Sequence, residues 1–93
     1  MDFKEINKKD MGARIRARRE SLNMTREDLG RYLSVTGKFI ADIEYGDKGV
    51  SVKNLYKLKQ ILGVSADYIL DGGEGEMSDD EQRKKLSENI LGS

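Results

Sequence analysis

The sequence predicts an all-α domain of five short helices followed by an acidic tail. Apolar residues recur at the helical spacing in five successive segments. Most of these segments begin at Ser, Thr or Asp and end near Gly or Asn, the residue types that cap helices. No segment alternates apolar and polar side chains as a strand does. We therefore expect a folded domain at 10–71 and a tail at 72–93. Residues 1–9 are expected to form an N-terminal arm or an early extension of the first helix.

The first two helices are predicted from their caps and their apolar spacing. Asp10 is expected to cap the first helix, and Asn23 tolerates the left-handed backbone that ends it. Thr25 supplies the cap of the second helix, whose first turn carries acidic residues that the helix dipole favours. The predicted inward positions of these two helices are Met11, Ile15, Leu22, Leu29 and Leu33.

Three further helices follow by the same reasoning. Thr36 is expected to start the third helix, which runs to about Tyr45. Ser51 caps the fourth helix and Gly63 ends it, whereas Ser65 caps a short fifth helix. The predicted inward positions of these three helices are Ile40, Ile43, Val52, Leu55, Leu58, Ile61, Leu62, Ile69 and Leu70.

The tail differs from the domain in composition. Residues 71–76 are rich in Gly and acidic side chains, which is typical of a flexible linker. Ser78 and Glu81 have capping-box spacing, and Leu86 and Ile90 lie one turn apart. The spacing therefore allows a marginal sixth helix in the tail, although an isolated helix of this length is weakly populated in water.

The connection between the second and third helices bears on function. Only residues 34–36 separate them, which is too short for an antiparallel hairpin and favours the crossing geometry of a helix-turn-helix motif. Gly30 supplies the small residue that a close crossing requires. On spacing alone, the alternatives are a DNA-binding motif and an ordinary helical bundle with a tight turn.

Composition argues against several classes of protein. The chain of 93 residues contains neither Cys nor His, which removes disulfides, thiol nucleophiles, imidazole bases and most zinc sites. We therefore expect neither an enzyme nor a metal or other cofactor. The uncharged runs are too short to span a bilayer, and residues 1–10 lack the apolar stretch of a secretory signal. A cytoplasmic protein without a membrane contact is the prediction.

The net charge of zero hides an uneven distribution of charge. Residues 1–35 hold nine Lys or Arg against six Asp or Glu, and residues 36–71 hold five of each. Residues 72–93 hold three basic against six acidic residues. A basic N-terminal half is compatible with nucleic-acid binding, although a soluble surface with an acidic tail explains the same pattern.

Three stretches, 15–30, 35–46 and 55–70, resemble the Cro/C1-type (XRE-like) helix-turn-helix family of phage and bacterial transcriptional regulators. The most specific parts are the sequence Ile-Glu-Tyr-Gly at 43–46 and the segment 62–70. The resemblance implies a lambda-repressor-like domain of five helices. It also implies a regulator, most often a repressor, that binds double-stranded DNA as a homodimer on a two-fold operator.

The resemblance also implies roles for individual residues. In this family an arginine late in the first helix pairs with the glutamate that ends the third, and Arg19 and Glu44 match these positions. Lys38 would donate to guanine and Asp42 would accept from cytosine N4. The residues implied to contact DNA are Arg26, Thr36, Lys48 and Lys53 at phosphates, Gly37, Lys38 and Asp42 at base edges, and Phe39 and Ala41 beside them.

The sequence departs from the family pattern at several places. Arg26 replaces the usual Gln, Ser34 stands where the turn usually has Gly, and Val50 replaces a frequent Pro. Gly37 has no side chain with which to read a base. An antitoxin-like or adaptor protein, which uses the helical module and the acidic tail to bind a protein partner, is therefore the alternative interpretation.

Overall fold

The computed structural model describes residues 5–73, which form five α-helices and contain no strand. The predicted all-α fold is therefore confirmed. The possible sixth helix and the rest of the acidic tail lie outside the described residues. No helix within 5–73 has both the length and the apolar character needed to cross a membrane. The helices are α1 Lys8–Ser21, α2 Arg26–Leu33, α3 Gly37–Glu44, α4 Val52–Leu62 and α5 Ala66–Asp71.

The first helix begins earlier than the sequence predicted. The side chain of Asn7 accepts a hydrogen bond from the Asp10 backbone N–H at 3.1 Å, so Asn7 is the cap. Asp10 instead lies in the first turn of α1. Lys8 and Lys9 lie within the predicted arm at 1–9 and belong to the helix, so the early extension of the first helix is the correct alternative for these two residues. Asn and Asp are equally good caps, and local sequence alone does not choose between them.

All five helices contribute to one hydrophobic core. Two predicted core residues are exposed instead, because each lies at a helix end where the chain has left the inward face. Leu22 follows the last turn of α1 and is 38% exposed, and Val52 opens α4 and is 83% exposed. The buried apolar residues are Met11, Ile15, Leu29, Leu33, Ile40, Ile43, Leu58, Leu62, Val64 and Ile69.

Helices α2 and α3 are joined by a close turn that their sequence specifies. The Thr25 hydroxyl and the Asp28 carboxylate form a capping box at the start of α2. The bond from the Thr25 N–H is the main reason why the pKa of Asp28 lies below its usual value. A Cβ atom on Gly30 would lie 2.5 Å from the Val35 carbonyl oxygen, so only glycine fits there. The small residue predicted at this crossing is therefore required.

A second close approach was not predicted from the sequence. Gly12 of α1 faces the C-terminal end of α3, and a Cβ atom on it would lie 2.4 Å from the carbonyl oxygens of Ile43 and Glu44. Because both contacts are with backbone, the two helices must move apart to accept any side chain. Gly12 therefore sets the distance between α1 and α3.

Replacing Ser34 with glycine is expected to raise the free energy of unfolding by about 0.5–1 kcal/mol. Ser34 ends α2 in the left-handed conformation with φ of 60°, which is costly for a residue with a Cβ atom. Urea denaturation of the variant measures the gain. Asn23→Gly is the matched control, because Asn23 also has a positive φ of 57° but tolerates it better. An equal gain at both positions would contradict the prediction.

Candidate nucleic-acid interface

Helix α3 buries one face and presents the other to solvent. Ile40 and Ile43 point into the core. We define the outer face of α3 as the side chains at successive turns on the other side, which are Lys38, Ala41, Asp42 and Tyr45. The Lys38 ammonium is exposed and lies 3.7 Å from the Asp42 carboxylate. This pair places one hydrogen-bond donor and one acceptor next to each other on an accessible surface.

Thr36 and Phe39 both lie at the N-terminal end of α3, beside this surface. The Thr36 hydroxyl accepts a hydrogen bond from the Phe39 N–H at 3.1 Å, so its own hydrogen remains for another acceptor. Phe39 is partly buried and packs against the core. The Lys48 ammonium lies 5.7 Å from the centre of the Phe39 ring, within the range of a cation–π contact. Lys48 is therefore held beside α3 although it belongs to the following loop.

Gly37, the first residue of α3, lies beside a carboxylate of α2. The Glu27 Oε1 atom lies 2.9 Å from the position that a Cβ atom on Gly37 would occupy. The absence of a side chain at Gly37 thus gives Glu27 room at the start of α3. Sequence reasoning explained Glu27 by its place in the first turn of α2 and did not foresee this contact between helices.

The family resemblance implied a pair between Arg19 and Glu44, and the structure brings these two side chains together. Arg19 Nε donates to Glu44 Oε2 at 2.6 Å and Arg19 Nη2 donates to Oε1 at 3.1 Å. The Glu44 side chain is fully buried, and the Arg19 side chain is nearly so. The hydrogen bonds to Glu44 raise the pKa of Arg19 above its usual value. Arg19 therefore joins α1 to the end of α3.

Arg26 has contacts that the sequence did not predict. Its Nε atom donates to Glu44 Oε1 at 3.0 Å, and its Nη2 atom donates to the Tyr45 hydroxyl at 3.2 Å. The guanidinium carbon also lies 5.1 Å from the centre of the Tyr45 ring. The bond to Glu44 is the largest cause of a raised pKa for Arg26. Two arginines thus share one buried carboxylate.

Further basic side chains border the loop that follows α3. The Lys9 Cγ atom lies 2.8 Å from the position that a Cβ atom on Gly46 would occupy, and the Lys8 Cε atom lies 3.7 Å from the equivalent position at Gly49. Both lysines belong to the predicted arm at 1–9, and the sequence did not predict their position beside this loop. The predicted contact Lys53 is exposed in the first turn of α4.

Two short helices joined by a close turn, the second with a polar outer face, define a helix-turn-helix domain. The family model described as helix-turn-helix matches residues 15–69. The chain belongs to the Cro/C1-type helix-turn-helix family of transcriptional regulators, as its resemblance implied.

Characterised relatives carry names that agree with this family. The chain is 36% identical over 64 residues to the HTH-type transcriptional regulator DicA of Escherichia coli. This alignment covers 69% of this chain and 47% of DicA. The chain is 36% identical over 67 residues to repressor protein C2 of Salmonella phage P22. This alignment covers 72% of this chain and 31% of C2. The chain therefore spans about half of these relatives or less.

Solved structures show the same fold. The P22 c2 repressor, solved in complex with a synthetic operator, superposes with a TM-score of 0.64 at 37% identity. That match covers 67% of this chain and 94% of the other. The restriction-modification controller protein C.AhdI of Aeromonas hydrophila superposes with a TM-score of 0.63 at 22% identity, covering 69% of this chain and 93% of its own.

Proposed function

We propose that this protein is a sequence-specific DNA-binding transcriptional repressor that binds double-stranded DNA through α2 and α3. The observation that carries the proposal is the exposed outer face of α3, which buried contacts from Arg19 and Gly12 hold in a fixed position. The similar P22 c2 repressor was solved on a synthetic operator, which supports the same use of this fold.

In this proposal α3 enters the major groove, and residues of the N-terminal part of its outer face read base edges. Lys38 donates to guanine O6 or N7, and Asp42 accepts from cytosine N4. Gly37 lets the backbone come close to the bases, and Phe39 and Ala41 border the readers. The proposed phosphate contacts are Arg26, Thr36, Lys48 and Lys53.

The proposal includes a homodimer on a two-fold operator and a location in the cytoplasm. A single small module buries too little surface for useful specificity, whereas a dimer reads two half-sites about one helical turn apart. The acidic tail is proposed as a further contact for a protein partner. This part of the proposal rests on charge, because the tail lies outside the described residues.

Selection of bound fragments from a random duplex library is the experiment that tests the function. We expect one enriched two-fold sequence, whose affinity falls steeply as salt rises. An adaptor that binds only proteins would enrich no sequence. Weak binding of all duplexes alike would contradict sequence-specific repression and would show non-specific DNA binding instead.

Lys38→Ala is expected to cost about 1–3 kcal/mol of binding free energy on the selected site and to leave a scrambled duplex almost unaffected. The reason is that Lys38 is exposed on the outer face of α3, where it donates to a base. Fluorescence anisotropy on both duplexes measures the difference. Lys59→Ala, which removes a lysine from the last turn of α4 outside both helices of the motif, is the control. Equal losses on both duplexes would show that Lys38 contacts phosphate instead.

A further inference from the structure

The charges around Glu44 do not balance. One carboxylate lies between the guanidinium groups of Arg19 and Arg26, so the cluster carries an excess positive charge. The side chain of Arg19 is 9% exposed, and that of Arg26 is 28% exposed. Arg19 is therefore the internal partner of Glu44, and the excess charge lies at the surface on Arg26.

Tyr45 contacts the guanidinium of Arg26 beside Glu44. The ring supplies a cation–π contact, and the hydroxyl accepts the bond from Nη2. These contacts use one N–H of Nε and one of Nη2, so the guanidinium retains further donors. Arg26 is the first residue of α2 and Tyr45 follows the last residue of α3, so the contact connects both helices of the motif.

The surface next to Arg26 is concave and carries more basic than acidic side chains. A shallow depression lies there, lined by Arg16, Arg19, Met24, Thr25, Arg26 and Glu27. Arginine donates to phosphate with a planar pair of N–H groups, and its strength depends on the orientation of that plane. A guanidinium fixed by Glu44 and Tyr45 loses less conformational entropy when it binds than a free side chain does.

We propose that Tyr45 is a positioning residue for DNA binding, which orients Arg26 so that its remaining N–H groups donate to a backbone phosphate. The inference rests on the proposed function and adds a residue that the sequence analysis did not include. It also explains how Arg26 binds Glu44 and DNA together: one edge of the guanidinium faces the protein, and the rest faces the phosphate.

A double-mutant cycle on the full chain tests the inference. Dissociation constants of wild type, Tyr45→Leu, Arg26→Gln and the double variant are measured on a labelled random-sequence duplex at several NaCl concentrations. We expect Arg26→Gln to weaken binding and to flatten the salt dependence by about one unit. Tyr45→Leu is expected to weaken binding roughly three- to tenfold, and Tyr45→Phe, which keeps the ring, to weaken it less.

The decisive result is the loss of the Tyr45→Leu effect once Arg26 is gone. An undiminished effect in the Arg26→Gln background would show direct contact of Tyr45 with DNA and overturn the positioning role. An unchanged dissociation constant and salt slope for Tyr45→Leu alone would also overturn it. Failure of the wild type to bind any duplex would instead refute the proposed function.

Two controls separate positioning from folding. Tyr56→Leu removes a similarly exposed tyrosine from α4 and should leave DNA binding unchanged. Thermal melts of every variant report the fold, and Arg26→Lys keeps the charge beside Glu44 if Arg26→Gln does not fold. In the Arg26→Lys background the Tyr45→Leu effect should shrink, because an ammonium lacks the planar pair of donors.

Discussion

Replacing Glu44 with alanine is expected to lower the free energy of unfolding by about 3–5 kcal/mol. The fully buried carboxylate accepts hydrogen bonds from two arginines, and its removal leaves the guanidinium of Arg19 buried without its charge partner. Urea denaturation followed by circular dichroism measures the loss. Glu20→Ala is the matched control, because Glu20 pairs with Arg16 at the surface, where such a pair contributes less than about 1 kcal/mol.

A cycle of Arg19→Ala, Glu44→Ala and the double variant tests the pairing itself. Contacting residues give non-additive changes in stability, so the double variant should lose less than the sum of the single losses. Arg19→Ala is expected to cost less than Glu44→Ala, because Arg26 remains bonded to the carboxylate. Strictly additive losses would contradict an energetic coupling between Arg19 and Glu44.

Gly12→Ala is expected to lower the free energy of unfolding by about 3 kcal/mol, the upper part of the usual range for overpacking. Alanine normally stabilises a helix relative to glycine, but here its Cβ atom meets two backbone carbonyl oxygens that cannot rotate away. The same denaturation measurement applies.

Gly37→Ala provides the control for Gly12→Ala. Gly37 also lies in a helix, but the nearest atoms to its added Cβ belong to the flexible side chain of Glu27. This variant should be neutral or more stable by up to about 1 kcal/mol. A destabilised Gly37→Ala together with a tolerated Gly12→Ala would contradict the assignment of Gly12 as the residue that sets the helix separation.

The helices and the close turn followed from the sequence because they depend on local patterns. Apolar spacing, hydroxyl caps and the small residue Gly30 each act within a few residues. The errors occurred at helix ends: Leu22 follows α1 and Val52 opens α4, and both fit the apolar spacing but lie outside the buried face. Asn7 and Asp10 are both suitable caps, and the choice between them depends on packing that the local sequence does not contain.

The candidate site was less accessible to sequence reasoning. The pair of Arg19 and Glu44 came from a family resemblance, since no local pattern joins residues so far apart in the chain. The contacts of Arg26 with Tyr45, and of Glu27 with Gly37, depend on how α2 and α3 lie against each other. Such contacts require the distance between two helices, which periodicity within one helix does not provide.

Helix α3 has only eight residues, which corresponds to a length of about 12 Å. An isolated peptide of this size is essentially unfolded in water, because the free-energy cost of helix nucleation exceeds the free energy gained by adding a few turns. The proposed DNA-binding surface therefore does not exist apart from the core that supports it. A segment containing α3 alone should show no affinity for the proposed operator, and any change that unfolds the core should also remove DNA binding. Under the proposed function, the fraction of molecules able to bind DNA therefore cannot exceed the fraction that is folded.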